Sequence, residues 1–191
     1  MNYDEPSIFL VGMMGSGKTT IGKNLARTLH RTFVDLDHEI EARCGVSIPV
    51  VFEIEGETGF RKRESQVLDE MSQAHSLILA TGGGAIIAPE NREVLKQRGV
   101  VVYLRASLED LCRRTARDRN RPLLAKGDPR ATLKRLLLER EPLYESAADI
   151  ILDTGSSTVS AVVQELIERV RQFKLSQASQ RFNPPPQYGQ I

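Results

Sequence analysis

The chain has 191 residues and a mass of 21.3 kDa, with 26 basic against 25 acidic side chains and 5% aromatic residues. That length supports one domain with its own core, and the balanced charge excludes a global field that would steer the chain to nucleic acid or to an anionic membrane. Cys44 and Cys112 fit neither a disulfide framework nor a metal-ligand spacing, residues 1–6 are polar and acidic unlike a secretory leader, and no apolar run approaches the roughly 18 residues of a membrane span, so a soluble, cytoplasmic protein is expected.

In chain order, short β-branched runs alternate with amphipathic helical patterns. Strands are expected over 7–11, 32–36, 77–81, 100–104 and 150–153, with helices near 18–29, 38–43, 60–71, 89–98, 108–117, 129–145 and 158–173. This alternation predicts an α/β fold, a five-stranded parallel sheet covered by helices on both faces. Pro89 and Pro129 suit the first turns of their helices, Ser107 suits an N-cap, and Pro142 should end or kink the helix that contains it. Residues 118–128 carry Arg119, Arg121, Pro122 and Gly127 with little periodicity, which reads as a mobile surface segment. The tail 175–191 holds Gln, Ser and three consecutive prolines and is expected to be disordered beyond a single domain over 1–174.

The sequence from Gly12 to Thr19 reads Gly-Met-Met-Gly-Ser-Gly-Lys-Thr, between an apolar run and a helical pattern. In that context it is a phosphate-binding P-loop. Gly12, Gly15 and Gly17 let successive N–H groups turn inward toward a β-phosphate at the N-terminus of the following helix. Lys18 can reach the β/γ oxygens, and the Thr19 hydroxyl can ligate the Mg²⁺ that accompanies a nucleoside triphosphate.

The acceptor side must decide which P-loop chemistry this is. Asp35 and Asp37 stand at the end of the second expected strand, two apart and so on one strand face; Asp35 could hold a metal-bound water while Asp37 takes a hydrogen bond or proton from an alcohol. Their competing role is to cap the helix near His38. The third strand ends in Thr81-Gly82-Gly83-Gly84 where a Walker B acid would normally stand, and three glycines let backbone N–H groups meet a small polar ligand closely. Arg61 and Glu64 are three apart on one helical face, so the acid can orient the guanidinium. Arg140, beside the Pro142 irregularity, supplies a second guanidinium, and the two together would make a bidentate site for a carboxylate. Arg113, Arg114, Arg117, Arg119 and Arg121 put five arginines in nine residues without an interleaved aromatic, which favours a lid over polyphosphate rather than a nucleic-acid patch. Arg121 is the expected phosphate contact of that lid, whereas His30, His38 and His75 show no ligand spacing.

These six motifs, including Gly59 to Glu64, Arg121-Pro122-Leu123-Leu124 and Arg140-Glu141-Pro142-Leu143-Tyr144, resemble the shikimate kinase family in order and spacing over about 8–173. The resemblance implies a P-loop kinase fold of the nucleoside monophosphate kinase type, with ATP as co-substrate, Mg²⁺, and shikimate as acceptor of a phosphoryl group on its 3-hydroxyl. It implies a substrate-binding subdomain over about 37–64; beside it, the lid is expected over about 116–128 and the protein is expected to be a monomer. By resemblance, Asp37, Arg61, Gly83 and Arg140 contact shikimate with Gly82 and Gly84 beside them, and Asp37 orients or deprotonates the attacking hydroxyl. Lys18 and Arg121 clamp the phosphates, Thr19 binds Mg²⁺ directly and Asp35 binds it through water. Gly12, Met14, Gly15, Ser16, Gly17 and Thr20 belong to the nucleotide site, Arg114 stacks on adenine opposite residues 153–157, and Ile48, Phe52 and Phe60 wall the shikimate subdomain. Two other readings remain open at this point: a P-loop kinase of gluconate or a nucleoside monophosphate, and a nucleotide-dependent regulatory module, although the chain lacks the Asn-Lys-x-Asp guanine reader of a GTPase switch.

Overall fold

A computed structural model describes residues 5–116, 122–124, 127–155 and 157–182. The first apolar run is strand β1 (Ser7–Val11), buried at every position. It pairs in parallel with β3 (Leu77–Ala80) on one side and β4 (Gly99–Arg105) on the other. β2 (Thr32–Asp35) and β5 (Ile150–Asp153) are the edges, giving the order β2-β3-β1-β4-β5. Parallel neighbours need crossover connections, and helices supply them on both faces.

Alternate strand residues feed two separate apolar layers. Phe9, Leu79, Val101 and Tyr103 meet Leu36 of α2 (Leu36–Cys44), Phe60 of α3 (Ile48–Met71), Leu95 of α4 (Pro89–Arg98), Leu111 of α5 (Leu108–Thr115) and Leu133 of α6 (Pro129–Ala147). Ile8, Leu10, Ile78 and Val102 meet Leu25 of α1 (Lys18–Leu29) and Leu166 of α7 (Val159–Phe182). The result is the expected three-layer α/β fold. Because all five strands run the same way, the loops after β1, β2 and β3 emerge at one carboxyl edge, the place where open α/β sheets bind ligands.

Several boundaries depart from expectation for local reasons. Asp35 leaves the strand to cap α2, accepting the Asp37 N–H at 3.1 Å, so Asp37 is a first-turn helix residue and does not share a strand face with Asp35. α3, expected only from Phe60, starts at Ile48 with Pro49 in its first turn. Its β-branched opening masks the helical signal, and Gly56, at φ 68° and ψ −178°, breaks the helix in the middle. α5 stops at Thr115. α6 runs through Pro142 instead of ending there; the carbonyl that loses its partner belongs to Leu138, whose side chain is exposed, so water can satisfy it. α7 continues past Lys174 to Phe182, which corrects the expectation of disorder for 175–182: no Gly or Pro interrupts that stretch, and a helix already nucleated propagates through it. Of the expected lid, the 3-10 turn Pro122–Leu124 packs Leu123 and Leu124 against the α2–α6 layer, while residues 117–121, including Arg117, Arg119 and Arg121, lie outside the described residues, as do 183–191.

Candidate active site

The loop after β1 reverses direction through Gly12, Gly15 and Gly17 at φ 143°, 81° and 97°, a conformation that side chains with a Cβ rarely take. Gly17 is the N-cap of α1 and supplies no side-chain cap, and the first turn of that helix holds no acid. The N-cap position therefore offers no side chain to the leading N–H groups, which suits an anion. Lys18 lies along the loop, donating to the Gly12 and Met13 carbonyls at 2.7 and 2.9 Å. Ser16 is fully buried beneath it, its hydroxyl without a hydrogen-bond partner among the described residues.

Next to the loop, the Thr19 hydroxyl donates to Asp35 Oδ2 at 2.6 Å. Asp35 thus does two things at once: one carboxylate oxygen caps α2 and the other faces Thr19. A cleft of about 340 Å³ opens here, lined by Gly15, Gly17, Lys18, Thr19, Thr20 and Arg114. Arg114 spans its rim, donating to the Gly15 carbonyl at 3.4 Å, to the Thr154 hydroxyl at 3.2 Å and to the Gly155 carbonyl at 2.9 Å. The loop after β5 is thereby tied to the P-loop across the sheet edge.

A second cavity, of about 240 Å³, adjoins the first and shares Met14, Thr19, Asp35, Asp37 and Gly83 with it. Ile48, Phe52 and Phe60 form its apolar wall, the two phenyl rings 4.7 Å apart. Its polar side is built from Arg61, Glu64, Arg140 and the three glycines after β3. Arg61 donates from Nη1 to Glu64 at 2.6 Å and from Nη2 to Glu57 at 3.0 Å, as the three-residue spacing of Arg61 and Glu64 suggests. Arg140, 4% exposed, donates to the Gly83 carbonyl at 3.2 Å. At two of these positions any side chain would have to displace its neighbours. A Cβ at Gly82 would stand 2.8 Å from Asp37 Oδ1 and still closer to Glu64, and one at Gly84 would collide with the Arg61 guanidinium.

Burial makes this charge cluster tense. Glu64 is 1% exposed, and desolvation pushes its carboxyl up to about 7 despite the opposing pull of Arg61 and Arg140, with Asp37 adding to the rise. Two atoms in the cavity wall, Arg61 Nε and Glu64 Oε1, are buried without a hydrogen-bond partner among the described residues. Both atoms are closed off from solvent even with the cavity open, so their missing partners are a cost the packed cluster itself carries.

The two cavities bring together the described candidate residues apart from Gly12 and Ser16, which lie within the loop, and Arg113, which pairs with Asp110 on the surface. The structure also adds some. His38, which shows no ligand spacing, lines the acceptor cavity 3.7 Å from Asp35, and Leu123 closes it from the 3-10 turn. Tyr144, part of the Arg140 motif but without a role of its own in the sequence, reaches the Gly83 carbonyl with its hydroxyl. An i, i+4 spacing from Arg140 was the available signal.

Comparison with known proteins follows the same lines. A family model described as shikimate kinase matches residues 14–171. The chain is 61% identical over 172 residues to a shikimate kinase of Bordetella pertussis, covering 90% of this chain and 81% of that one. Among solved structures, it resembles the shikimate kinase of Acinetobacter baumannii in complex with shikimate, with a TM-score of 0.88 and 48% identity over 91% of this chain and 97% of the other. A gluconokinase of Sinorhizobium meliloti shares only the fold, at a TM-score of 0.58 and 14% identity over 92% and 97% of the two chains.

Proposed function

The chain belongs to the shikimate kinase family, and from that premise we propose how its residues divide the work of moving the γ-phosphate of ATP to the 3-hydroxyl of shikimate. The reaction gives shikimate 3-phosphate and ADP, a step of aromatic amino-acid biosynthesis. The observation that carries the proposal is the convergence of two guanidiniums, Arg61 and Arg140, on one cavity that opens onto the P-loop cleft at Asp37 and Gly83.

In this reading the phosphates of ATP rest on the N–H groups of residues 12–20, with Lys18 neutralising the charge that develops on the transferring group. Arg114 borders the adenine end, and Arg121, outside the described residues, is assigned to the phosphates by its motif. Arg61 and Arg140 hold the shikimate carboxylate, and the apolar wall of Ile48, Phe52 and Phe60 meets the ring. The hydroxyl to be phosphorylated then points at Asp37, which stands where the two cavities meet and accepts its proton or its hydrogen bond. Hard oxygen donors at Thr19 and Asp35 fit Mg²⁺: the 2.6 Å hydrogen bond uses the Thr19 proton and leaves its lone pairs for the ion. Bound there, Mg²⁺ supplies charge neutralisation on the polyphosphate.

A monomer in the cytoplasm fits the near-balanced charge and the two complete apolar layers, and among the described residues no helix is long and apolar enough to cross a membrane. Sedimentation equilibrium at micromolar concentration should return the mass of one chain.

The clamp is tested by Arg61→Lys, which keeps the charge and loses the planar fork. Shikimate binding should weaken by about 1.5–3 kcal/mol, the scale of a charged hydrogen bond lost, with ATP affinity nearly unchanged in calorimetric titrations. Equal losses for both substrates would overturn the carboxylate assignment.

A further inference from the structure

Tyr144 is fully buried on α6, one helical turn beyond Arg140, and both side chains converge on a single atom, the carbonyl oxygen of Gly83. A carbonyl has two lone pairs, and here Arg140 Nη1 and the Tyr144 hydroxyl take one each. The ring of Tyr144 is itself fixed. It stacks on Tyr103 of β4 with centroids 4.9 Å apart and planes 18° from parallel, and Tyr103 is buried in the centre of the sheet. Desolvation holds the Tyr144 phenol far above its usual range, so it remains a donor throughout the working pH range.

We propose that Tyr144 is a positioning residue for the acceptor: by holding the Gly83 carbonyl against the sheet it fixes the anchor on which Arg140 rests and thereby presets that guanidinium for the substrate carboxylate. The inference builds on the clamp reading of Arg140. Without the hydroxyl the Gly83 carbonyl, flanked by two glycines, keeps only the Arg140 bond, and because a peptide is planar any turn of it carries the Gly84 N–H on the same unit along. Arg140 then loses its fixed acceptor and must be ordered by the substrate itself, at the expense of affinity.

Tyr144→Phe removes one oxygen and retains the ring stack, so the protein should fold. Steady-state kinetics should show the shikimate KM raised about 3–10-fold, the factor that one net hydrogen bond represents, with kcat and the ATP KM within twofold of the parent. Tyr103→Phe, on the same stack but without a bond to Gly83, should leave all three unchanged. In an Arg140→Lys background, Tyr144→Phe should add less than twofold, because residues acting through one another are not additive. An unchanged shikimate KM in Tyr144→Phe, an equal rise in the ATP KM, or a full effect in the Arg140→Lys background would each overturn the proposal. Failure of the clamp itself is distinguishable, since Arg140→Lys alone would then leave the shikimate KM unmoved.

Discussion

Glu64 shows how much a single buried charge can shape the acceptor site. Its carboxyl is neutral over part of the range in which an unfolded glutamate is ionised, because burial raises it from 4.5 to about 7. Between those values the folded chain binds more protons than the unfolded one, so stability from this group is complete below about 4.5 and is lost as pH rises toward 7. Glu64→Gln removes the ionisation. Relative to the parent, the variant should therefore gain stability between pH 5 and pH 8, on the order of 2–3 kcal/mol, read by urea unfolding at both values; a constant difference across that range would show that Glu64 is ionised throughout. Asp37 makes the complementary case. Asp37→Asn is nearly isosteric but cannot accept a proton, and turnover should fall about 10²–10⁴-fold with the fold retained by circular dichroism. A variant within threefold of the parent would remove Asp37 from the proton path. At this scale the sequence was informative where spacing is short and local: the three-residue step from Arg61 to Glu64 correctly anticipates their 2.6 Å ion pair. It could not show that Glu64 packs on Gly82 and Arg61 on Gly84, because those contacts cross from α3 to the loop after β3.

At the scale of elements, periodicity located all five strands to within a residue or two; β1 and β3 are buried at every position, so their apolar runs carry no competing signal. It failed at α3. Its opening residues, Ile48, Val50 and Val51, favour strands intrinsically, and only their packing against the acceptor cavity and the apolar layer makes the segment helical. Gly56 is the joint that permits this. At φ 68° and ψ −178° it occupies a region reserved for glycine, and nothing lies within 4 Å of where a Cβ would be, so a substitution there acts on the backbone alone. Gly56→Ala should cost about 1–3 kcal/mol in unfolding free energy. Because the joint orients Ile48 and Phe52, the shikimate KM should rise as well while the ATP KM holds; a loss of stability with both constants unchanged would mean that the first half of α3 is no more than cover.

The whole molecule is polar in its layout, and that separates chemistry from scaffold. The carboxyl ends of β1, β2 and β3 lead into the P-loop, Asp35 and the glycine turn, whereas the amino ends at Ser7 and Gly99 face the opposite side, where α7 finishes. There Glu5 accepts from both Lys174 and Arg31, tying its segment to α7 and to the turn after α1, and the two cations hold its carboxyl below the usual range. The apolar contacts of α7 with the sheet, Val162, Val163, Leu166 and Val170, all precede that tie. Leu175, immediately after it, is 61% exposed, so the helical extension to Phe182 contributes little burial of its own. The fold shared with a gluconokinase at 14% identity makes the same point from outside: the layered sheet is common property. A chain ending at Lys174 should therefore keep kcat and both KM values within twofold of the parent and lose no more than about 1 kcal/mol of stability, as surface changes generally do. Activity assays and thermal unfolding of that truncation measure both quantities. A shikimate KM that climbs on truncation would show that the far end of α7 communicates with the carboxyl edge, and the separation of scaffold from site argued here would fail.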